Sequence, residues 1–359
     1  AQAWGAIMRG YKNALCIAGT HGKTTTTSMC THIIMAARMD PTVMIGGTLP
    51  LLGSGYRVGH GDTIILESCE YCNSFLSFFP TVAVILNIEA DHLDFFKDLD
   101  DVEHSFRAFA DRVPESGVIV ANADDANTMY TLEGEERPVL TFGLEHGDVR
   151  AANLAWNRGL PSFDVVYRGD VFTHVALRVP GEHNVKNALA AAACALVLGA
   201  TDTAVGEGLL TFRPLEHRIE PAGLVDGVAC YNDSNATNVD ATLVALTAFL
   251  PTRPIVLLGG RDKGTDLAPL VAACEENARA VVCFGEARER FLAAFADSAV
   301  FPVLSAGTME EALDAALSIA EDGDVVVLSP ACASFDEFSC FEERGDVFKR
   351  LVADRAGKA

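Results

Sequence analysis

Short apolar runs of strand length, spaced by stretches of helix length, constrain this chain more than any other feature of its sequence. Such runs occupy residues 14–18, 64–66, 82–86 and 118–120, then 256–258, 281–284 and 325–328. Runs without a polar alternate face have no side to turn to water, so they predict buried parallel strands in βαβ units. The fold class expected is α/β. A chain of 359 residues predicts about two domains at roughly 150 residues each. Residues 149–180 break the pattern. There, 163–167 and 173–177 alternate around Arg168-Gly169-Asp170, which predicts an antiparallel hairpin attached to the first sheet. A helix is expected over 183–198, stopped by Gly199, and the stretch 211–215 with Pro214 reads as a linker. The predicted domains are therefore 1–213 and 214–359. The second opens with a strand near 228–231 and forms a separate Rossmann-like sheet.

Charge and cysteine content narrow the functional classes. Lys and Arg number 27 against 49 Asp and Glu, a net charge of −22. Nucleic acid and anionic membranes are repelled by such a surface, whereas a small anionic ligand can still be held by a few local groups. No apolar run reaches the roughly 18 residues of a membrane-spanning helix, and residues 1–13 lack the layout of a secretory signal. Cys16, Cys194, Cys230 and Cys283 fall inside apolar segments, as expected of reduced, buried thiols in a cytoplasmic protein. Cys69-Glu70-Tyr71-Cys72 has C-x-x-C spacing, but no second pair and no paired histidines accompany it, so neither zinc nor redox chemistry is expected there.

The chemistry concentrates in Gly19-Thr20-His21-Gly22-Lys23-Thr24-Thr25, between the apolar run 14–18 and a helical stretch. Glycines let a backbone turn present its amides to phosphate oxygens, and a helix N-terminus adds a favourable dipole. Lys23 can offset phosphate charge, and the Thr24 hydroxyl can hold Mg²⁺. The spacing G-x-x-G-K-T is shorter than the common G-x-x-x-x-G-K-[ST], so the reading rests on the strand-to-helix position; the alternative is a glycine-rich turn with a solvated lysine. The run 64–66 ends in Glu67, and the run 82–86 is followed by Asn87-Ile88-Glu89-Ala90-Asp91-His92-Leu93-Asp94. The C-terminal ends of parallel strands share one edge. Glu67 and His92 are therefore candidate metal ligands, and the crowding of Glu89, Asp91 and Asp94 about His92 predicts a cation.

Taken with Gly181-Glu182-His183-Asn184-Val185-Lys186-Asn187 and Asn232-Asp233-Ser234-Asn235-Ala236-Thr237-Asn238, these stretches resemble the Mur ligases, ATP-dependent amide ligases of bacterial cell-wall synthesis. The resemblance implies a central ATPase domain and a C-terminal amino-acid-binding domain, with the family's N-terminal UDP-binding domain absent from this chain. It implies ATP and Mg²⁺ as cofactors, held by Gly19, Thr20, His21, Gly22, Lys23, Thr24 and Thr25. Thr24 and Glu67 would hold one Mg²⁺ and His92 a second. Asn184 and Asn187 would lie near adenine, Arg218 near the γ-phosphate and Asp233 on the ribose. Thr237, Lys263, Ser334, Phe335 and Phe341 would surround the amino acid, although Ser334 would equally suit a helix cap. Lys23, His92, Arg218 and Lys263 are the catalytic candidates, and the reaction is expected where the two domains face each other, closed against water.

The two halves resemble different members. The ATPase half, with residues 67–76, is similar to the L-alanine ligases. The C-terminal half, with residues 231–238, 258–264 and 328–335, is similar to the D-glutamate ligases. Weight on the amino-acid side gives the expectation of a monomer joining D-glutamate to UDP-N-acetylmuramoyl-L-alanine through an acyl phosphate. The L-alanine ligase is the alternative within the class, and a nucleotide-binding module without turnover the alternative outside it. A folate-type polyglutamate ligase fits the terminal stretches less well. Two residues depart from the family pattern. Arg107 stands where most members carry a carbamylated lysine, as the L-alanine pattern allows. Asn235 replaces a lysine of the D-glutamate pattern and removes a cation from the substrate's surroundings.

Overall fold

A computed structural model describes every residue except Leu215, Asp297, Ala299, Lys358 and Ala359, so the linker expected over 211–215 lies partly outside the described residues. The chain divides into two compact units. The first comprises Ala1–Ala155, Ser162–Leu177 and Glu182–Arg213; the second comprises Trp156–Pro161, Arg178–Gly181 and Pro214–Ala359.

The first unit is built on a ten-stranded sheet. Its strands are β1 (Asn13–Ala18), β2 (Thr42–Leu49), β3 (Ser54–Arg57), β4 (Thr63–Glu67), β5 (Val82–Ile85), β6 (Val118–Asn122), β7 (Val139–Gly143), β8 (Val149–Asn157), β9 (Leu160–Tyr167) and β10 (Asp170–Ala176). They lie in the order β10-β9-β8-β7-β6-β5-β1-β4-β2-β3. Pairing is parallel from β7 through β6, β5, β1 and β4 to β2. Every residue of β5, and all of β1 after Asn13, is buried, which is what continuous apolar runs require. The expected hairpin is β9 and β10, antiparallel and bulged between Val171 and Thr173 at the sheet edge. A second antiparallel pair, β2 with β3, closes the opposite edge.

Helices α1 (Gln2–Met8), α2 (Lys23–Ala36), α3 (Leu99–Ala110), α4 (Ala126–Thr131), α5 (Glu182–Val197) and α6 (Asp202–Thr211) cover this sheet. On α2, Thr26, Thr27, Ser28 and Thr31 are buried. The hydroxyls of Thr27, Ser28 and Thr31 donate to the carbonyls of Lys23, Thr24 and Thr27, 2.7–2.8 Å away. Those bonds let a hydroxyl-rich helix be buried without orphaned polar groups. Helix α2 is thus buried against α5 and α6.

The second unit holds β11 (Glu220–Val225), β12 (Val228–Asn232), β13 (Ile255–Gly259), β14 (Ala280–Phe284), β15 (Val303–Ser305) and β16 (Val325–Leu328), ordered β11-β12-β16-β13-β14-β15. Only the β11–β12 pair is antiparallel. Successive residues of β13 enter opposite cores: Val256 and Leu258 one, Ile255 and Leu257 the other. That alternation is the signature of a sheet covered on both faces. The helices are α7 (Val239–Ala248), α8 (Ala268–Asn277), α9 (Arg288–Ala294), α10 (Met309–Ile319) and α11 (Phe341–Ala356).

Burial pushes the thiols of Cys16, Cys230 and Cys283 up to about 12, which leaves them protonated packing groups. Among the described residues, no helix is long and apolar enough to cross a membrane.

Helices α2 and α6 approach closely at Gly208, where an added Cβ would lie 2.5 Å from the Ile33 Cα. Gly208→Ala is therefore expected to lower the stability of the first unit by about 1–3 kcal/mol through overpacking, read as a shift in its urea midpoint.

Candidate functional site

The loop after β1 can fold tightly only because two of its residues lack side chains. Gly19 (φ +146°) and Gly22 (φ +85°) take backbone conformations that favour glycine. A Cβ on Gly19 would meet Leu86 Cβ at 2.8 Å, and one on Gly22 would meet Asn187 Oδ1 at 2.5 Å. Asn87 braces the loop from the end of β5: its Oδ1 accepts from His21 N (2.7 Å) and its Nδ2 donates to His21 O (3.1 Å). Thr20 is buried and its hydroxyl accepts from Glu89 N at 2.9 Å. Thr25 lies half-buried on the first turn of α2, whose N-cap is Gly22.

Lys23 folds back over this loop. Its ammonium donates to Gly19 O (2.6 Å), Thr20 O (3.0 Å) and Glu70 Oε1 (3.0 Å). Glu70 is 2% exposed and was not among the residues picked from sequence. Its signal was the spacing Glu67-x-x-Glu70 directly after a strand end. It also lies 3.8 Å from His92 Nε2. Thr24 donates its hydroxyl to Glu67 Oε1 at 2.9 Å, and Glu67 Oε2 accepts from Gly46 N at 2.7 Å.

The acidic crowding expected about His92 resolves differently. Glu89 lies 3.6 Å from His21, and Asp94 accepts from the Tyr71 hydroxyl at 2.8 Å. That bond pushes the Tyr71 phenol up to about 12, and the Tyr71 ring packs 4.7 Å from the His92 ring. Asp91 and Glu70 are the carboxylates left beside His92. His92 itself is held at φ +53°, a left-handed conformation that costs a residue with a side chain about 1–2 kcal/mol.

Among the described residues, no three His, Cys, Asp or Glu side chains converge to hold a metal. Mg²⁺ does not need such a cage, since it keeps several waters and binds through one or two carboxylates together with phosphates. The donors here fit it: the Thr24 hydroxyl and the Glu67 carboxylate are in contact, while Glu70 is engaged by the Lys23 ammonium. From α5, Asn187 accepts from the Thr26 hydroxyl and donates to Asn184 Oδ1, both at 3.2 Å. The first unit therefore brings together Gly19 through Thr25, Glu67 and His92, with Asn184 and Asn187 on the helix facing Gly22.

In the second unit the residues expected from sequence fall into two groups. Asp233, buried at the end of β12, accepts from Ile219 N (3.2 Å) and the Ser329 hydroxyl (2.7 Å). Burial raises its carboxyl to about 7, against the opposing pull of Arg218 and Arg344. Arg218 is exposed. Lys263 donates to Thr237 O at 2.7 Å. Phe341 meets the His217 ring edge-on at 5.9 Å, and Phe335 is exposed. Ser334 is buried but caps no helix: its carbonyl accepts from Glu337 N and Phe338 N, whereas Cys340 caps α11. Arg344, fully buried, donates to the carbonyls of Ser234, Cys332 and Ala333 at 2.9–3.2 Å. Sequence reading missed it.

Comparison with known proteins supplies the family. Residues 17–195 match the Mur ligase middle domain, and residues 217–332 match the family described as "Mur ligase, glutamate ligase domain". A UDP-N-acetylmuramate:L-alanyl-gamma-D-glutamyl-meso-diaminopimelate ligase structure from Neisseria meningitides is 31% identical, with TM-score 0.54, over 58% of this chain and 68% of that one. The chain belongs to the Mur ligase family. Mur ligases depend on ATP and Mg²⁺, and a related ligase structure from Thermotoga maritima was solved with ADP. The UDP-N-acetylmuramate–L-alanine ligase of Clostridium novyi (strain NT) is 43% identical over 251 residues, 69% of this chain and 55% of that protein. Its counterpart from Caldanaerobacter subterraneus subsp. tengcongensis is 41% identical over 257 residues, 70% of this chain and 56% of that protein. The structure of the UDP-N-acetylmuramate-alanine ligase from Thermotoga maritima shares the fold, with TM-score 0.72 and 24% identity over 98% of this chain and 77% of that one. The chain spans about half the length of the curated relatives it matches.

These relatives overturn the D-glutamate expectation. It rested on residues 231–238, 258–264 and 328–335, and the structure shows why they misled. Lys263 is committed to the Thr237 carbonyl, Asn235 N donates to His217 O, and Arg344 gathers the backbone around Ser234 and Ser334. Those stretches shape loops, a requirement that does not depend on which amino acid is used.

Asp233 yields a pH prediction. Between 3.8 and about 7 the folded protein holds a proton that the unfolded chain has lost, so the stability it contributes declines as pH rises through that window and is gone above it. The urea midpoint of the wild type, compared with that of Asp233→Asn, is expected to fall between about pH 4 and about pH 7, with the difference constant at higher pH.

Proposed function

We propose that this chain carries the ATP-binding and amino-acid-binding parts of a UDP-N-acetylmuramate–L-alanine ligase. The observation that carries the reading is the 43% identity over 251 residues with such a ligase. Arg107 supports it. Its guanidinium donates to Thr131 O and Glu133 O and pairs with Asp111 and Glu135. It is a structural clamp on the turn after α4, in keeping with the pattern that lacks a carbamylated lysine there.

In this reading Mg²⁺ and ATP supply the phosphoryl group that turns a poor carboxylate electrophile into an acyl phosphate open to attack by an amine. Phosphoryl transfer needs in-line placement and charge neutralisation more than covalent help. Lys23 serves the second need from the loop, with the free amides at the start of α2 beside it. The Thr24 hydroxyl and the Glu67 carboxylate hold the cation, with His92 assigned to a second. Asn184 and Asn187 are assigned to the adenine side, Arg218 and Asp233 to the γ-phosphate and ribose. Thr237, Lys263, Ser334, Phe335 and Phe341 line the amino-acid side, where a small L-alanine side chain asks for exclusion of larger rivals more than for added charge.

The test is phosphate release in the presence of UDP-N-acetylmuramate, ATP and Mg²⁺ with a panel of amino acids. L-alanine is expected to stimulate release at least about tenfold more than D-glutamate. Lys23→Ala is expected to lower that rate at least about a hundredfold while leaving the circular dichroism spectrum unchanged. Equal stimulation by D-glutamate, or, with a Mur-ligase UDP-binding domain supplied, nucleotide binding with no amino-acid-dependent release, would refute the reading.

A further inference from the structure

Glu70 has no role in the reading above, yet it is a buried carboxylate paired with Lys23. It is 2% exposed. Both its oxygens lie 3.0 Å from the Lys23 ammonium, but only Oε1 lines up to accept a hydrogen bond. Oε2 is buried with no hydrogen-bond donor, and the His92 imidazole Nε2 lies 3.8 Å from Oε1. A buried carboxylate with an unsatisfied oxygen is costly, because nothing replaces the water it has lost. It is tolerated where a charge partner or an incoming group compensates it.

The three ammonium donors of Lys23 are committed to Gly19 O, Thr20 O and Glu70 Oε1, which exhausts them. A polyphosphate that engages Lys23 has to compete with Glu70 and then lies beside a buried negative charge. Repulsion between buried like charges is screened little by salt and is relieved by a cation placed between them. From this geometry we infer that Glu70 makes nucleotide binding conditional on a divalent cation, selecting the metal–nucleotide complex over the free polyphosphate. Glu67 differs. Its oxygens accept from the Thr24 hydroxyl and Gly46 N, so its removal weakens cation binding and does not ease entry of the free nucleotide.

The inference rests on the nucleotide-binding part of the proposed function, and calorimetric affinities separate the two. Wild-type protein is expected to bind ATP at least about tenfold more weakly in EDTA than in excess Mg²⁺. In Glu70→Gln the metal-free affinity rises about tenfold, affinity with Mg²⁺ changes less than about threefold, and the Mg²⁺ dependence collapses. Glu70→Asp keeps the charge and keeps the dependence. AMP, which lacks the terminal phosphates, is expected to bind wild type and Glu70→Gln alike, a result that a general loosening of the loop would not give. If the Gln variant does not fold, Glu70→Ser supplies the same neutralisation. An unchanged Mg²⁺ dependence in the neutral variant, or none in the wild type, overturns the role of Glu70 alone. Failure of the wild type to bind ATP with or without Mg²⁺ overturns the functional reading as well.

Discussion

How closely the loop after β1 can approach the end of β5 decides where Lys23 goes. A side chain at Gly19 would collide with Leu86, and one at Gly22 with Asn187. Without those contacts Asn87 could not grip both the N–H and the carbonyl of His21, and the first turn of α2 would not begin at Lys23. The α2 hydroxyls, bonded back to their own helix, let that helix be buried against α5 and α6, so the loop is mounted on a rigid element. Rigid mounting matters because phosphoryl transfer loses rate steeply with small errors of placement.

The second unit meets the same demand with a different device. Arg344 reaches from α11 to carbonyls after β12 and β16, strands that lie next to one another in the sheet. One planar cation thereby sets two loops at the carboxyl ends of adjacent strands, the edge at which open α/β sheets bind ligands. Burial lowers its guanidinium to about 10, so it stays charged while it does so. Gly260, which a Cβ would bring within 3.0 Å of the same guanidinium, leaves room for it after β13.

The central strands were legible in the sequence because parallel strands buried on both faces are unbroken apolar runs, and β1, β4, β5, β13, β14 and β16 are such runs. The edges were not. Strand β2 contains Gly46 and Gly47 and pairs with a four-residue β3 in an irregular register, so no period of two survives to be read. The tight turn after β1 and the helix that starts at Lys23 were legible from glycine spacing and context. The spacing Glu67-x-x-Glu70 marked Glu70 only weakly, because its contact is tertiary: nothing in the local stretch shows that Lys23 will fold back across 47 positions to meet it. The identity of the amino acid was misread for a related reason. Lys263 and the loops at Asn235 and Ser334 look like substrate donors in sequence, but Lys263 donates to the Thr237 carbonyl, and Arg344 holds the backbone of the loops around Ser234 and Ala333.

If Lys23 binds phosphate as proposed, it poses a problem that every phosphate-binding lysine must solve before its ligand arrives. An ammonium aimed into a partly enclosed loop, with its side chain 14% exposed, cannot remain uncompensated. Two loop carbonyls meet part of the requirement, but they are dipoles, and the full countercharge comes from Glu70. The group that stabilises the empty loop is then the group an anionic ligand must displace or coexist with. In a protein of net charge −22 the long-range field adds to that opposition. Affinity for a polyphosphate therefore has to come from local charge, and in the proposed reading a divalent cation that joined the phosphates to Glu67 and Thr24 would turn the surrounding carboxylates from obstacles into partners. On the proposed role of Glu70, dependence on the metal is a consequence of how the site keeps its lysine in place.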